Sequence, residues 1–211
     1  MKKEMRDYYR REDVVDSYEE KRFASATGEI YHEKEVAMVN AVLAEQKPEK
    51  LLEIAVGPAR LAKELTGFKQ AVGFDYSPAM LRVAREKLGG NWKLVQGDAF
   101  ELPFEDEFDC VVSFRFVRHF KLPDRRRLYA RILAALKPNG VFIMDAWNEK
   151  FASTEKIYNK GWGKKELFDE LTENGFEVAE LKPYFFLSSL RFLKRGKKKP
   201  ASGGETRPAS G

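Results

Sequence analysis

From Leu51 onward the apolar residues come in short runs, each bounded by Gly, Asp or Pro: Leu51–Val56, Ala71–Asp75, Trp92–Gln96, Phe108–Phe114 and Val141–Ala146. Runs of this length, closed by turn residues, predict buried strands. The stretches between them carry helical spacing at Arg60–Leu65, Pro78–Leu88 and Asp124–Leu136, the second opening with Ser77 as N-cap and Pro78 in the first turn. Lys137-Pro138-Asn139-Gly140 stops the third helix and turns the chain into the fifth strand. Strands that alternate with helices imply an α/β fold, a mostly parallel sheet covered on both faces. The chain then reads as a helix at Lys164–Asn174 and two strands, Phe176–Leu181 and Tyr184–Phe192. No helix separates these two, which predicts an antiparallel hairpin at the sheet edge.

Ahead of the first strand, residues 11–46 are helical in character. Val14, Val15 and Tyr18, then Val36, Val39, Ala41, Val42 and Leu43, recur at helix spacing around a looser stretch at Ala24–Gly28. This segment is expected to be an N-terminal flank or lid, residues 1–47. Beyond Lys194 the chain is too rich in Lys, Arg, Gly and Pro to pack, and residues 195–211 read as a flexible basic tail.

Composition narrows this picture. A chain of 211 residues and 24.3 kDa suits one domain, residues 1–194, with 43% hydrophobic residues to form its core. One Cys excludes an intrachain disulfide and a Cys-cluster metal site, and with two His no protein-held metal is expected. The net charge of +5 is unevenly placed: the segment from Arg191 onward carries +6 and the remainder −1. No run approaches the roughly 20 apolar residues of a membrane span, so a soluble, cytoplasmic protein is expected. Glu and Lys are abundant against three Gln and six Asn, a bias of heat-adapted proteins.

In a parallel sheet, ligands bind beyond the carboxyl ends of the strands. The first such end is Glu53-Ile-Ala55-Val-Gly57-Pro-Ala59-Arg, where a Gly allows close backbone approach. The second is Gly73-Phe-Asp75-Tyr76-Ser-Pro, where a carboxylate is placed to accept both hydroxyls of a ribose, or simply to cap the turn into Ser77. The third is Gln96-Gly97-Asp98-Ala99, an acidic side chain beside a small residue that suits an adenine. The full G-x-G-x-x-G is missing, because Ala55 and Ala59 stand where Gly is expected. That favours a ligand with an adenosine and no diphosphate.

Taken in order with Leu102-Pro-Phe, Phe108-Asp109, Ser113-Phe114 and Leu136-Lys-Pro-Asn-Gly140, these residues resemble the class I S-adenosylmethionine-dependent methyltransferases over about residues 10–190. The resemblance implies a Rossmann-like, doubly wound sheet and S-adenosyl-L-methionine as cofactor. It places Ala55 and Gly57 under the methionine part, Asp75 with Tyr76 at the ribose, and Asp98 with Ala99 at the adenine. Glu53 would orient the loop or meet the methionine amine through water, or else serve as an internal cap. Ser113 closes the cofactor set. Tyr18 and Arg22 resemble a segment that folds over the cofactor carboxylate in related small methyltransferases, although they also fit an amphipathic helix face.

The acceptor side follows the fourth strand, Ser113-Phe114-Arg115-Phe116-Val-Arg118-His119-Phe120. Phe114, Arg115 and His119 are the candidate catalytic residues, with His119 suited to proton work near neutral pH or to a structural role. Arg115, Arg118, Lys121 and Arg125–Arg127 either line the mouth with positive charge or, for the last three, form a wet helix face. The Asn/Asp-Pro-Pro-Tyr/Phe signature of exocyclic-amine methyltransferases is missing. Cys110, near the start of the fourth strand, is expected in the core rather than at a covalent site. The basic tail and the Arg cluster favour RNA, an rRNA or tRNA base nitrogen, as the acceptor. The same sheet serves a methyltransferase acting on a small-molecule metabolite, and the altered glycines leave room for a non-catalytic S-adenosylmethionine-binding module.

Overall fold

Leu51, Leu52 and Ile54 are fully buried because their strand, β1 (Lys50–Ile54), lies in the middle of a sheet covered on both sides. A computed structural model describes residues 26–149, 159–184 and 188–195. The strands are β1, β2 (Gln70–Asp75), β3 (Trp92–Gln96), β4 (Phe108–Ser113), β5 (Leu136–Asn148), β6 (Gly161–Trp162), β7 (Phe176–Tyr184) and β8 (Ser188–Arg195). They form one sheet of order β3-β2-β1-β4-β5-β8-β7, with β6 also paired to β5. The pairs from β3 across to β5 are parallel. β8 runs antiparallel between β5 and β7. The α/β class, the mostly parallel sheet and the terminal hairpin therefore stand as the sequence implies.

Among the described residues four helices cover the sheet: α1 (Ala26–Gln46), α2 (Pro78–Lys87), α3 (Leu122–Ala135) and α4 (Lys164–Glu173). Successive strand residues face opposite sides. Thus Leu51, Cys110, Val112 and Ile143 pack with Val39 and Leu43 of α1, while Leu52, Val111 and Phe142 pack with Leu128 and Tyr129 of α3 and Leu171 of α4. Cys110 is fully buried, and burial pushes its thiol far above the ordinary range, so it is the core residue expected. Ser77 caps α2, its hydroxyl accepting the Met80 N–H at 3.3 Å, with Pro78 at the first position.

Four local expectations are corrected. Arg60–Leu65 is not a helix; only a short 3-10 turn forms at Ala62–Glu64. Gly57 and Ala59 both take left-handed backbone, φ +55° and +61°, which delays helical geometry until little chain remains before Gly67. Within the looser stretch at Ala24–Gly28, residues 26–28 are helical and form the first turn of α1, while Ala24 lies outside the described residues. β5 starts at Leu136, ahead of the Pro138-Asn139-Gly140 turn, and Asn139 takes φ +65° within the strand's span. Finally, β7 and β8 extend to Tyr184 and Arg195, beyond the shorter runs read from hydrophobicity alone.

Of the arginines after β4, Arg118 and Arg125 are buried, while Arg126 and Arg127 are exposed on α3. Arg125, 2% exposed, donates to both oxygens of the Glu170 carboxylate at 2.7 and 2.6 Å and to the Phe120 carbonyl at 2.6 Å. Tyr129 and Trp162 donate to the same carboxylate at 2.9 and 3.0 Å. Burial raises the Glu170 pKa, but Arg125, Trp162 and Tyr129 outweigh it and hold the carboxyl below its usual range. One satisfied buried network thereby joins α3, α4, β6 and the loop that follows β4.

Candidate active site

The loops at the carboxyl ends of β1, β2, β3 and β4 enclose one cavity, whose walls include Glu53, Gly57, Asp75, Asp98, Phe114 and His119. Its empty volume, counted out to the open mouth, is about 1070 Å³.

The floor is the loop after β1. Ala55, Gly57 and Ala59 adopt φ of +59°, +55° and +61°. The positions where glycine was expected thus do have glycine-like backbone, and the two alanines hold it at a cost of roughly 1–2 kcal/mol each. The loop is fastened to β2: Ala55 N–H donates to the Phe74 carbonyl at 2.8 Å, and Gly57 N–H donates to Asp75 Oδ2 at 2.9 Å. Replacing Ala55 with Gly is therefore expected to raise stability by about 1 kcal/mol, read as a higher melting temperature. An unchanged or lower value would mean that the loop bears no strain there.

Asp75 does two things at once. Its Oδ1 accepts the Ser77 N–H at 2.8 Å, the turn cap foreseen as its alternative role, and the same carboxyl lines the cavity. Burial raises its pKa, opposed by the N–H groups of Ser77, Gly57 and Tyr76. Glu53 is 4% exposed and caps nothing: its Oε2 is buried without a hydrogen-bond partner at the cavity wall. Burial pushes its carboxyl up to about 8, with Arg60 opposing and Asp75 adding to the shift.

On the third strand's side, Asp98 and Ala99 line the cavity, and Asp98 accepts the Phe100 N–H at 3.1 Å as cap of a 3-10 turn. Gly97 is required by proximity, because a Cβ there would collide with the Phe74 ring. Across the cavity stand Phe114, Arg115, Phe116 and His119. Arg115 takes left-handed backbone, φ +56°, fixed by its N–H donating to Asp145 Oδ1 at 2.6 Å. Asp145 also accepts from Arg118 Nη1 at 2.5 Å, and the Arg118 guanidinium lies 4.4 Å from the Trp147 ring centre.

Of the residues singled out from sequence, Phe114, Arg115, His119, Glu53, Ala55, Gly57, Asp75, Tyr76, Asp98 and Ala99 all line this cavity. Ser113 does not: it is fully buried, and its hydroxyl points back to donate to the Ile54 carbonyl at 3.4 Å, tying β4 to β1. Tyr18 and Arg22 lie outside the described residues. Arg118 and Arg125 are not mouth residues either, being held by buried carboxylates, Asp145 and Glu170. Two charged residues were missed. Arg60 lines the cavity, and Glu35 of α1 reaches it through Arg60 and Arg115. The sequence did carry a signal for Glu35, since it shares the i, i+4, i+8 stripe with buried Val39 and Leu43, where a charge requires a partner.

Among the described residues no group of His, Cys, Asp and Glu could hold a metal ion, and no helix is long and apolar enough to cross a membrane. The donor set fits a nucleoside bearing an amino acid: carboxylates at Asp75 and Asp98 for hydroxyls and an amino group, an orphaned carboxyl oxygen at Glu53 for a cationic group, and an open glycine-like floor.

The chain is similar in sequence and in fold to known proteins. A family model described as a methyltransferase domain matches residues 51–140. The demethylmenaquinone methyltransferase of Staphylococcus carnosus (strain TM300) is 30% identical over 169 residues, covering 69% of this chain and 69% of that protein. The enzyme of the same name from Geobacillus kaustophilus (strain HTA426) is 28% identical over 182 residues, covering 67% and 76%. Among solved structures, a DhpI–SAH complex superposes with a TM-score of 0.75 at 18% identity, over 92% of this chain and 96% of the other.

Proposed function

This chain belongs to the class I S-adenosylmethionine-dependent methyltransferase family and uses S-adenosylmethionine as its methyl donor, and we propose that its acceptor is a small, largely apolar, ring-bearing metabolite. The observation that carries this reading is the lining of the acceptor side. Three of the cations expected to draw RNA there are engaged within the protein, Arg115 by Glu35, Arg118 by Asp145 and Arg125 by Glu170, and the exposed Lys121, Arg126 and Arg127 do not line the cavity. What faces the cavity beside them is aromatic, Phe114 and Phe116. Relatives named for demethylmenaquinone support the same class of acceptor, a flat ring system.

When bound, S-adenosylmethionine supplies the activated methyl group and a thioether leaving group. The protein's own work is then to bind, orient and exclude water. Gly57 and Ala55 form the floor beneath the methionine part, Asp75 receives the ribose hydroxyls next to Tyr76, and Asp98 with Ala99 meets the adenine. Phe114 and Phe116 hold the acceptor ring. His119 takes the proton that leaves the acceptor, and Arg115 bounds the acceptor end. RNA, the acceptor favoured by the tail charge, becomes the competing outcome of the test.

Salt separates the two. Methyl transfer to a 1,4-naphthoquinol probe is expected to change less than about twofold between 50 and 200 mM salt, whereas an enzyme held by 6–10 phosphate contacts loses about a thousandfold or more in affinity. Transfer to RNA with such a salt dependence, and none to the quinol, would replace this reading.

A further inference from the structure

Glu35 is a charged residue on the buried face of α1, 2% exposed, and its two oxygens are divided between two loops of the site. Oε2 accepts from Arg60 Nη2 at 2.7 Å, in the loop after β1. Oε1 accepts from Arg115 Nε and Nη2 at 3.2 and 2.9 Å, in the loop after β4. Burial pulls the Glu35 pKa up, but Arg115 and Arg60 outweigh it and keep the carboxyl below its ordinary range, so it is an anion. His32, one turn earlier on α1, contacts the other terminal nitrogen of Arg60 through Nδ1, while its Nε2 meets Glu64 at 2.7 Å. The guanidinium of Arg60 is thus held from two points of one helix.

These contacts leave a definite charge pattern at one end of the cavity. Among Glu35, Arg60 and Arg115 one carboxylate serves two guanidiniums, and Arg60 is close enough to act on Glu53, whose Oε2 has no partner. A cation beside an unpaired carboxyl oxygen is the complement of an amino-acid zwitterion: carboxylate to the guanidinium, ammonium to the carboxyl.

We propose that Glu35 is a positioning residue for the cofactor: it orients Arg60 so that this guanidinium binds the carboxylate of the cofactor's amino-acid end, opposite Glu53. The inference rests on the cofactor placement proposed above. It gives α1 a part in binding, since the helix carries the anchor for a residue of another loop. It also supplies a carboxylate partner within the described chain.

Two ligands and four proteins, the unaltered chain and three variants, test it by calorimetric titration. S-adenosylhomocysteine carries the amino-acid end; 5′-methylthioadenosine carries the adenosine and thioether without it. Glu35→Gln is expected to weaken S-adenosylhomocysteine about tenfold or more, the effect of misplacing one charge-assisted bond, and to leave 5′-methylthioadenosine within about twofold. Arg60→Gln gives the same contrast and serves where Gln at 35 does not fold. In the double variant, Glu35→Gln adds less than about twofold to the loss from Arg60→Gln, because its effect passes through Arg60. Equal weakening of both ligands, or no weakening of either, overturns the positioning role. Failure of the unaltered protein to bind 5′-methylthioadenosine at all would instead remove the cofactor placement, and the inference with it.

Discussion

Asp75→Ala is expected to weaken S-adenosylmethionine binding by about 100-fold, because two losses fall on one carboxyl. The first is direct: hydrogen bonds to a charged group contribute roughly 1.5–3 kcal/mol each, and a ribose presents two hydroxyls to this carboxylate. The second is structural. Asp75 Oδ2 accepts the Gly57 N–H at 2.9 Å and Oδ1 accepts the Ser77 N–H at 2.8 Å, so the residue fastens the floor loop to the start of α2. Removing it leaves the Gly57 amide unpaired at the cavity wall and loosens a loop already held in left-handed backbone. Asp75→Asn separates the two parts, since the amide oxygen can keep one backbone contact while the charge on the ribose is lost. Calorimetric titration of both variants checks this, with the Asn variant falling between the other two. Full affinity in Asp75→Ala would refute the ribose assignment.

A second large effect follows from Glu53. Its carboxyl ionises near 4.5 when exposed and is pushed up to about 8 in the folded protein. Between those values the folded state keeps a proton that the unfolded state has given up. Stability therefore falls as pH rises through this window, by on the order of 5 kcal/mol once pH exceeds the folded value. The charged neighbours are Arg60, which favours the anion, and Asp75, which opposes it, and His119 also lines the cavity. The unliganded protein is expected to melt several degrees lower at pH 9 than at pH 6, and Glu53→Gln is expected to flatten that slope. An ammonium group set against Oε2 favours the anion, so binding of the cofactor releases the proton. Affinity should then rise with pH toward 8 in the unaltered protein and much less in Glu53→Gln. Identical pH slopes in the two proteins would show that Glu53 holds no such proton.

Much of the cavity lining was legible in the sequence, because the residues that close parallel strands stand where the cavity opens at the carboxyl edge of the sheet. Asp75 and Asp98 are examples: each follows an apolar run, and each lines the cavity. The loop after β1 was read less well. Pattern alone placed a helix at Arg60–Leu65, whereas three left-handed residues, Ala55, Gly57 and Ala59, consume the length available. That Ala occupies such backbone is a tertiary result, imposed by hydrogen bonds to Phe74 and Asp75. Ser113 was misassigned because β4 ends in a side chain that points to its neighbour strand instead of the cavity. The arginines show the same limit most clearly. Arg118 and Arg125 stand in a basic stretch that reads as a nucleic-acid surface, yet their partners, Asp145 and Glu170, lie 27 and 45 residues away. No local pattern announces such pairs.

The terminal basic segment beyond Arg195 lies outside the described residues. What decides the acceptor is the product. Incubating the protein with S-adenosylmethionine labelled on its methyl group and a cell extract, then separating RNA, protein and solvent-extractable metabolites, reads it in one step. Label in the extractable metabolite fraction, lost in Asp75→Ala, is the predicted result; label confined to RNA or protein would contradict the account.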